Sequence, residues 1–202
     1  MCHQKNEPGA SFGSFGKRFM GTKPDLMTFA KGVTSGYVPL GGVMVGDRVA
    51  QALIERGGEF EHGYTYSGHP VACAVAIANI QLVRQLKLVE HVREDVGPYL
   101  ADQFAKLRDH PLVGSTDTCG LMGAILLVKD KAKGTPFPGE LEVGMVCRGH
   151  CFGNGLIMRA VGDRMIIAPP LVMTRAQIDE MMALIRQALD LTLADVKAKG
   201  WL

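Results

Sequence analysis

The stretch of sequence that decides the fold is TFAKGVTSGYVPLGG, residues 28–42. Its first residues complete a short apolar run, LMTFA (26–30), which predicts a strand that ends at Lys31. A lysine held against apolar side chains loses hydration and its pKa falls, so it becomes a nucleophile for carbonyl carbon and a usable general base. Gly32 would let the backbone approach a bulky ligand closely. On the pattern alone, a strand-end lysine pointing into water is the commoner case.

The segments on either side of this stretch predict short elements joined by turns. Residues 1–20, rich in Gly, Ser and Phe, predict a loop, and GYVPLGG (36–42) is typical of a turn. VMVG (43–46) predicts a second strand. Asp47 is then placed to cap a helix that runs to Ile54.

A polar, Gly-rich loop over residues 57–69 precedes a strongly apolar segment. Pro70 suits the first turn of a helix. The following VACAVAIANIQLV (71–83) is apolar almost all round, which predicts a buried helix. Thr65 lies in this loop, where a hydroxyl and backbone N–H groups before a helix can hold phosphate oxygens. On the pattern alone, ordinary turn chemistry is the commoner interpretation of such a threonine.

The pattern changes after about residue 88, where alternating helices and strands predict a separate α+β unit. Gly97-Pro98 predicts a kink or a boundary in its first helix. The other predicted elements are an amphipathic helix with Val92, Val96, Leu100, Phe104 and Leu107 on one side, a buried strand over 121–128, a helix over 140–152 ending at Gly153-Asn154-Gly155, a hairpin turning at Val161-Gly162-Asp163, and a last helix opened by a Thr174–Gln177 capping box and carrying Ile178, Met182, Ile185 and Leu189.

Two domains are therefore predicted. Residues 1–88 hold too few elements to enclose a core and predict the end of a larger domain, whereas 89–202 predict a small C-terminal α+β domain.

The composition predicts a packed globular protein and excludes several classes. The 202 residues are 47% hydrophobic, and their net charge of +2 gives no electrostatic footprint for nucleic acid. No apolar run reaches the length of a membrane span, and the N-terminal residues lack the apolar core of a signal peptide. These features predict a cytoplasmic protein with no nucleic-acid or membrane partner. Five irregularly spaced cysteines do not suggest a disulfide framework.

Three potential metal ligands, Cys147, His150 and Cys151, crowd one predicted helix. A tetrahedral site needs a fourth ligand, and the sequence offers no second pair at a suitable spacing. No metal site is predicted. His62 and His69 likewise have no cysteine or carboxylate at ligand spacing and are interpreted as structural hydrogen-bonding residues.

Arg159 ends the apolar run LIMR. A guanidinium binds a carboxylate through two parallel hydrogen bonds, which a lysine cannot imitate. Without further context, an arginine at the surface end of a strand is the commoner interpretation.

Three ordered blocks resemble class III pyridoxal-phosphate-dependent aminotransferases, in particular the ω-aminotransferase branch, which includes putrescine–pyruvate and β-alanine–pyruvate enzymes. TFAKGVTSGYVPLGG (28–42) is similar to the segment that carries the cofactor lysine in that family, EHGYTYSGHPVACAVAIANI (61–80) to its phosphate-contact loop and following helix, and NGLIMRAVGDRMIIAPPLVMT (154–174) to its C-terminal signature. The resemblance implies an α/β protein of fold type I, comprising the C-terminal part of the large domain and the small C-terminal domain.

The resemblance also implies roles for individual residues. Lys31 would form the Schiff base with pyridoxal 5′-phosphate, and Thr65, assisted by Tyr64, would reach the cofactor phosphate of the neighbouring subunit in a homodimer. Arg159 would bind the carboxylate of a keto acid such as pyruvate. The implied reaction moves an amino group from an amine or diamine donor to that keto acid.

Part of the family pattern is missing from this sequence. The family places a Gly-Ser phosphate turn, an aromatic that stacks on the cofactor ring and an Asp that pairs with the ring nitrogen upstream of the lysine, and none is found here. The chain is expected to be a truncated reading frame, a fragment or one piece of a split enzyme, with little activity alone. Two alternatives stay open: a non-catalytic fragment that serves as a folding or dimerisation module, and an aminomutase or decarboxylase on the same scaffold.

Overall fold

The computed structural model describes residues 24–202, so the loop predicted over residues 1–20 lies outside the described part of the chain. The chain divides into two compact units, one ending at Val89 and the other running from Glu90 to Leu202. Their assignment to a large and a small domain stays a prediction.

The first unit contains the two predicted strands, which pair as a two-stranded antiparallel sheet. Strand β1 (Leu26–Ala30) pairs with β2 (Gly41–Val45), and Phe29 lies opposite Gly42. A Cβ atom at Gly42 would overlap the Phe29 ring, so the ring lies across the glycine backbone. An aromatic side chain placed in this way compensates for the missing side chain of a strand glycine.

Two helices complete the described part of the first unit. Helix α1 (Asp47–Arg56) forms where a helix was predicted, but the prediction that Asp47 caps it is wrong. Gly46 is the N-cap, and its carbonyl accepts a hydrogen bond from the Ala50 N–H at 3.0 Å. Asp47 is the first helical residue, where its negative charge favours the positive end of the helix dipole.

Helix α2 (Pro70–Gln85) begins at its proline as predicted, but the prediction that it is buried is wrong for this chain. Ala72 and Ala76 are its buried residues, whereas Ile77 is 57% and Leu82 50% exposed. Residues 24–202 therefore do not cover most of the apolar surface of this helix, and packing against such a surface is what normally stabilises an apolar helix.

The second unit is an α+β structure. Its helices and strands, in chain order, are α3 (Leu88–His91, which begins just before the unit boundary), a π-helical turn (Val92–Val96), α4 (Gly97–Lys106), a 3-10 turn (Leu107–Asp109), β3 (Val113–Cys119), β4 (Met122–Leu127), a second 3-10 turn (Gly139–Leu141), α5 (Val143–Gly153), β5 (Arg159–Val161), β6 (Arg164–Ile167) and α6 (Arg175–Ala198). The boundary predicted at Gly97-Pro98 corresponds to the change from the π turn to α4.

The four strands form one antiparallel sheet in the order β3-β4-β6-β5. The sequence predicted β4, β5 and β6 but missed β3, whose sequence VGSTDTC is mostly polar. Strand β3 lies at the edge of the sheet, and an edge strand exposes more of its surface to water, so its apolar alternation is weak.

The core of the second unit lies between the sheet and its helices. Ile125 of β4 pairs with Met165 of β6, and both side chains are fully buried. Phe104 of α4 is also fully buried, and its ring lies against Gly123 of β4. The amphipathic positions predicted from the sequence all join this core: Val92, Val96, Leu100, Phe104, Leu107, Ile178, Met182, Ile185 and Leu189.

The predicted hairpin and capping box are both present. Strands β5 and β6 turn at Gly162, which has a φ of 54°. The Thr174 hydroxyl accepts a hydrogen bond from the Gln177 N–H, and the Gln177 side chain accepts one from the Thr174 N–H.

Within the described residues, no single helix is both long enough and apolar enough to cross a membrane. One bent pair, Pro70–Gln85 with Leu88–Asp109, meets that test by length and composition only.

Candidate active site

Lys31 follows β1 directly and begins a 3-10 turn, Lys31–Val33. Its φ is 55°, in the left-handed region, which typically costs a non-glycine residue roughly 1–3 kcal/mol. The side chain is exposed in this chain, so the described residues do not supply the apolar walls that the sequence predicted around it. The amine is therefore accessible and is carried by a strained backbone.

The turn after Lys31 is closed by hydrogen bonds from Thr34, which is buried although it is polar. The Thr34 N–H donates to the Lys31 carbonyl at 3.2 Å, and the Thr34 hydroxyl donates to the Val38 carbonyl at 2.6 Å. Ser35 also has a left-handed backbone, with a φ of 52°. Two non-glycine residues in this region within five positions persist only where surrounding contacts hold them.

Asn79 of α2 supplies such contacts from a distant part of the sequence. Its side-chain nitrogen donates to the Gly32 carbonyl at 2.9 Å and to the Val33 carbonyl at 3.0 Å. This residue was not among the site residues predicted from the sequence. The signal in the sequence was an amide within a mostly apolar segment, since a polar group at such a position usually has a hydrogen-bonding partner.

Thr65 and Tyr64 lie in the exposed loop before α2. The Tyr64 N–H donates to the Ser67 hydroxyl at 3.1 Å, and the Ser67 N–H returns a bond to the Tyr64 carbonyl at 2.9 Å. These bonds fold residues 64–67 into a tight turn that leaves the Tyr64 side chain 79% exposed. The loop thus presents Tyr64 and Thr65 at the surface of the first unit.

The histidines of this loop contact aromatic rings. His62 packs edge-on against both Phe60 and Tyr64, with ring centroids 6.0 Å apart in each pair. His69 is the N-cap residue of α2 and lies 6.4 Å from the Tyr66 ring. The interpretation of both as structural residues stays a prediction.

Arg159 lies in the second unit, at the first position of β5 and opposite Ile166 of β6. Its side chain is exposed and makes no hydrogen bond or ion pair with another of the residues 24–202. The guanidinium is therefore available to an anionic group.

The cysteines of α5 belong to the core of the second unit. Cys147 and Cys151 are 2% and 1% exposed. The neighbouring Cys147 thiol, together with burial, raises the pKa of Cys151. His150 instead pairs with Asp195 at 2.8 Å. Over residues 24–202, no three His, Cys, Asp or Glu side chains are grouped so as to hold a metal ion.

The chain is similar to known aminotransferases over most of its length. The class-III aminotransferase family model matches residues 9–189. Putrescine–pyruvate aminotransferase of Pseudomonas aeruginosa is 53% identical over 184 residues, which are 91% of this chain and 40% of that protein. The chain thus spans about two fifths of the length of this relative.

Solved transaminase structures share the fold. An (S)-enantioselective ω-transaminase from Thermomicrobium roseum superposes with a TM-score of 0.82 at 41% identity, covering 89% of this chain and 40% of that one. A PMP-bound aminotransferase from Vibrio fluvialis gives a TM-score of 0.84 at 37% identity, covering 90% and 41%. The predicted α/β architecture of fold type I is confirmed.

These matches indicate pyridoxal phosphate as the cofactor, as the sequence predicted. The chemistry of the lysine turn fits an aldehyde cofactor, because an exposed primary amine is the group that condenses with an aldehyde. A family model that matches almost the whole chain, a relative at 53% identity and the shared fold lead to one conclusion. The chain belongs to the class-III aminotransferase family.

Proposed function

We propose that this chain contributes the lysine-bearing part of an aminotransferase that moves an amino group from an amine or diamine to a keto acid such as pyruvate. The observation that carries the proposal is the geometry at Lys31. Its amine is exposed, its backbone is left-handed, and the turn that follows it is held by hydrogen bonds from Thr34 and Asn79. A structural lysine needs no such backbone. Strain of this kind is concentrated at sites where a side chain is held for chemistry.

In the proposed reaction Lys31 has two tasks. Its Nζ atom would hold the cofactor through the cofactor's aldehyde carbon. When it is not holding the cofactor, the Nζ atom would remove the proton from the amino-bearing carbon of the donor and would later return a proton to the keto-acid acceptor. The cofactor, when bound, supplies an electron sink that stabilises the charge left on that carbon.

Thr65 and Tyr64 are proposed to contact the cofactor phosphate across a homodimer interface. Their exposure on the loop before α2 supports this, because neither residue is committed to the interior of its own unit. Exposed apolar side chains elsewhere in the same unit, including Ile54 at 84% and Phe60 at 68%, support a protein partner for this unit. Sedimentation of the full chain tests this: association is expected, and a sharp monomer boundary at all concentrations would contradict it.

Arg159 is proposed to bind the carboxylate of the keto acid. Its exposed guanidinium makes no ion pair within residues 24–202, so its paired N–H donors can meet a carboxylate in parallel. A donor diamine has no carboxylate, so this contact would serve only one of the two half-reactions.

The activity is best tested in a full-length protein, because the relative that matches is longer than this chain. We would replace the matching segment of the Pseudomonas aeruginosa enzyme with this chain and measure alanine formation from putrescine and pyruvate. Turnover is expected, together with its loss in Lys31→Arg, which keeps the charge but not the reactive amine. A matched control is Lys197→Arg, an exposed lysine of α6.

Two results would contradict the proposal. One is a hybrid that folds and binds pyridoxal phosphate but does not transaminate any amine. The other is full activity in the Lys31→Arg hybrid.

A non-catalytic module remains a second candidate, and one observation favours it. The second unit encloses an extensive core, whereas Ala72 and Ala76 are the buried apolar residues of the first unit as far as residues 24–89 are described. An inactive hybrid together with a stable, folded 202-residue chain is the outcome expected for this candidate. A cytoplasmic location stays a prediction from the sequence.

A further inference from the structure

We propose that Asn79 is a positioning residue that holds Lys31 in its reactive orientation. The inference deepens the proposed function and rests on it. It assigns a role in the site to a residue of α2 that lies far from Lys31 in sequence.

The contact is specific in its geometry. One amide nitrogen donates to two consecutive carbonyls, Gly32 at 2.9 Å and Val33 at 3.0 Å. A side-chain amide has two N–H groups, so each carbonyl receives its own hydrogen. Binding two successive carbonyls fixes the orientation of the Gly32–Val33 and Val33–Thr34 peptide planes, which follow the Lys31–Gly32 peptide in the turn.

The backbone at Lys31 needs such support. A φ of 55° is unfavourable for any residue with a Cβ atom, and the residue would relax to an extended or right-handed conformation if the turn were released. Either change would redirect the lysine side chain relative to β1. Thr34 closes the turn internally through the Lys31 and Val38 carbonyls, and Asn79 ties it to a helix.

Helix α2 carries small side chains on the face that bears Asn79. Ala72, Ala76 and Asn79 follow one another at i, i+4 and i+7, so they lie on one face of α2. Both alanines are buried although most of the helix is exposed. Small side chains on that face allow close approach to neighbouring backbone, and helix α2 contacts the Lys31–Val33 turn.

The variant Asn79→Asp tests the inference with the least change of shape. At neutral pH a carboxylate has no hydrogen to donate and would repel both carbonyl oxygens. Asn79→Leu removes the amide altogether. Gln81→Glu is the matched control, because it makes the same amide-to-carboxylate change at an exposed position of the same helix.

Two readouts on the full 202-residue chain separate positioning from general stability. The first is hydrogen exchange of the Thr34 amide, which donates to the Lys31 carbonyl and reports on the turn without cofactor. The second is the rate at which pyridoxal phosphate and borohydride label Lys31, divided by the rate at Lys197, an exposed lysine of α6.

Both Asn79 variants are expected to speed exchange of the Thr34 amide and lower the Lys31-to-Lys197 labelling ratio by about fivefold or more, as the loss of two hydrogen bonds implies. Gln81→Glu should leave both unchanged. Faster exchange with an unchanged ratio would show a purely structural role and overturn the inference, as would two unchanged readouts. If wild-type Lys31 labels no faster than Lys197, the proposed function fails. In that case an unchanged Thr34 exchange rate in Asn79→Asp would separately overturn the positioning role of Asn79.

Discussion

Gly123 of β4 offers a sharp test of how the second unit is packed. A Cβ atom at this position would lie 2.6 Å from two ring carbons of Phe104, closer than side-chain carbons approach in folded proteins. The Phe104 ring is fully buried among the core residues, so it cannot swing into solvent. Gly123→Ala therefore forces the ring or the strand to move.

Overpacking of this kind typically costs about 1–3 kcal/mol of unfolding free energy. With a urea dependence of roughly 1–3 kcal/mol per molar for a unit of this size, the unfolding midpoint should fall by about 1 M. Fluorescence of Trp201 measures the transition, because this is the single tryptophan and it packs against the core of the second unit.

Gly149→Ala is the matched control. Gly149 is an exposed glycine of α5, and a Cβ atom there would meet nothing within 4 Å. Because alanine favours a helix over glycine, this variant should gain about 0.5–1 kcal/mol. A Gly123→Ala protein with the wild-type midpoint, measured beside a stabilised Gly149→Ala, would refute the packing described for Phe104.

Three further outcomes are expected. Thr174→Ala removes the capping box of α6 and should cost about 1 kcal/mol in the same urea assay, whereas Thr174→Ser should retain most of the stability; equal losses would argue against the cap. Burial lowers the pKa of His110, although Asp190 faces it at 3.4 Å, so folding favours the neutral ring. The free energy of unfolding should therefore be full above the unfolded pKa of about 6.5 and should fall as the pH drops below it. His110→Asn should flatten this pH profile in equilibrium unfolding. In the full-length hybrid, Arg159→Lys should slow the keto-acid half-reaction about tenfold more than the diamine half-reaction, as measured by single-turnover kinetics. Equal losses in the two half-reactions would mean that Arg159 is not the carboxylate contact.

Local pattern predicted most of the elements because it reflects interactions between near neighbours. The hairpin at Gly162 and the capping box at Thr174 depend on turn and cap residues that are only a few positions apart. The buried positions of α4 and α6 follow the helical period. Strand β3 was missed because its edge position weakens the apolar alternation on which strand prediction depends.

The features that the sequence did not predict depend on contacts between distant residues. No local pattern shows that Asn79 donates to carbonyls 46 and 47 residues away. The left-handed backbone of Lys31 is equally hidden, because glycine is the usual residue there. The apolar character of α2 was clear, but burial needs surrounding protein, and the described residues cover only Ala72 and Ala76.

We propose that Lys31 is the residue that binds pyridoxal phosphate. The most direct test is to incubate the 202-residue chain with the cofactor, reduce with borohydride and map the labelled peptides by mass spectrometry. We expect one dominant labelled peptide, the one that contains Lys31, and its disappearance in Lys31→Arg. Label spread over exposed lysines such as Lys106 and Lys197, with none at Lys31, would show that Lys31 is not the cofactor lysine.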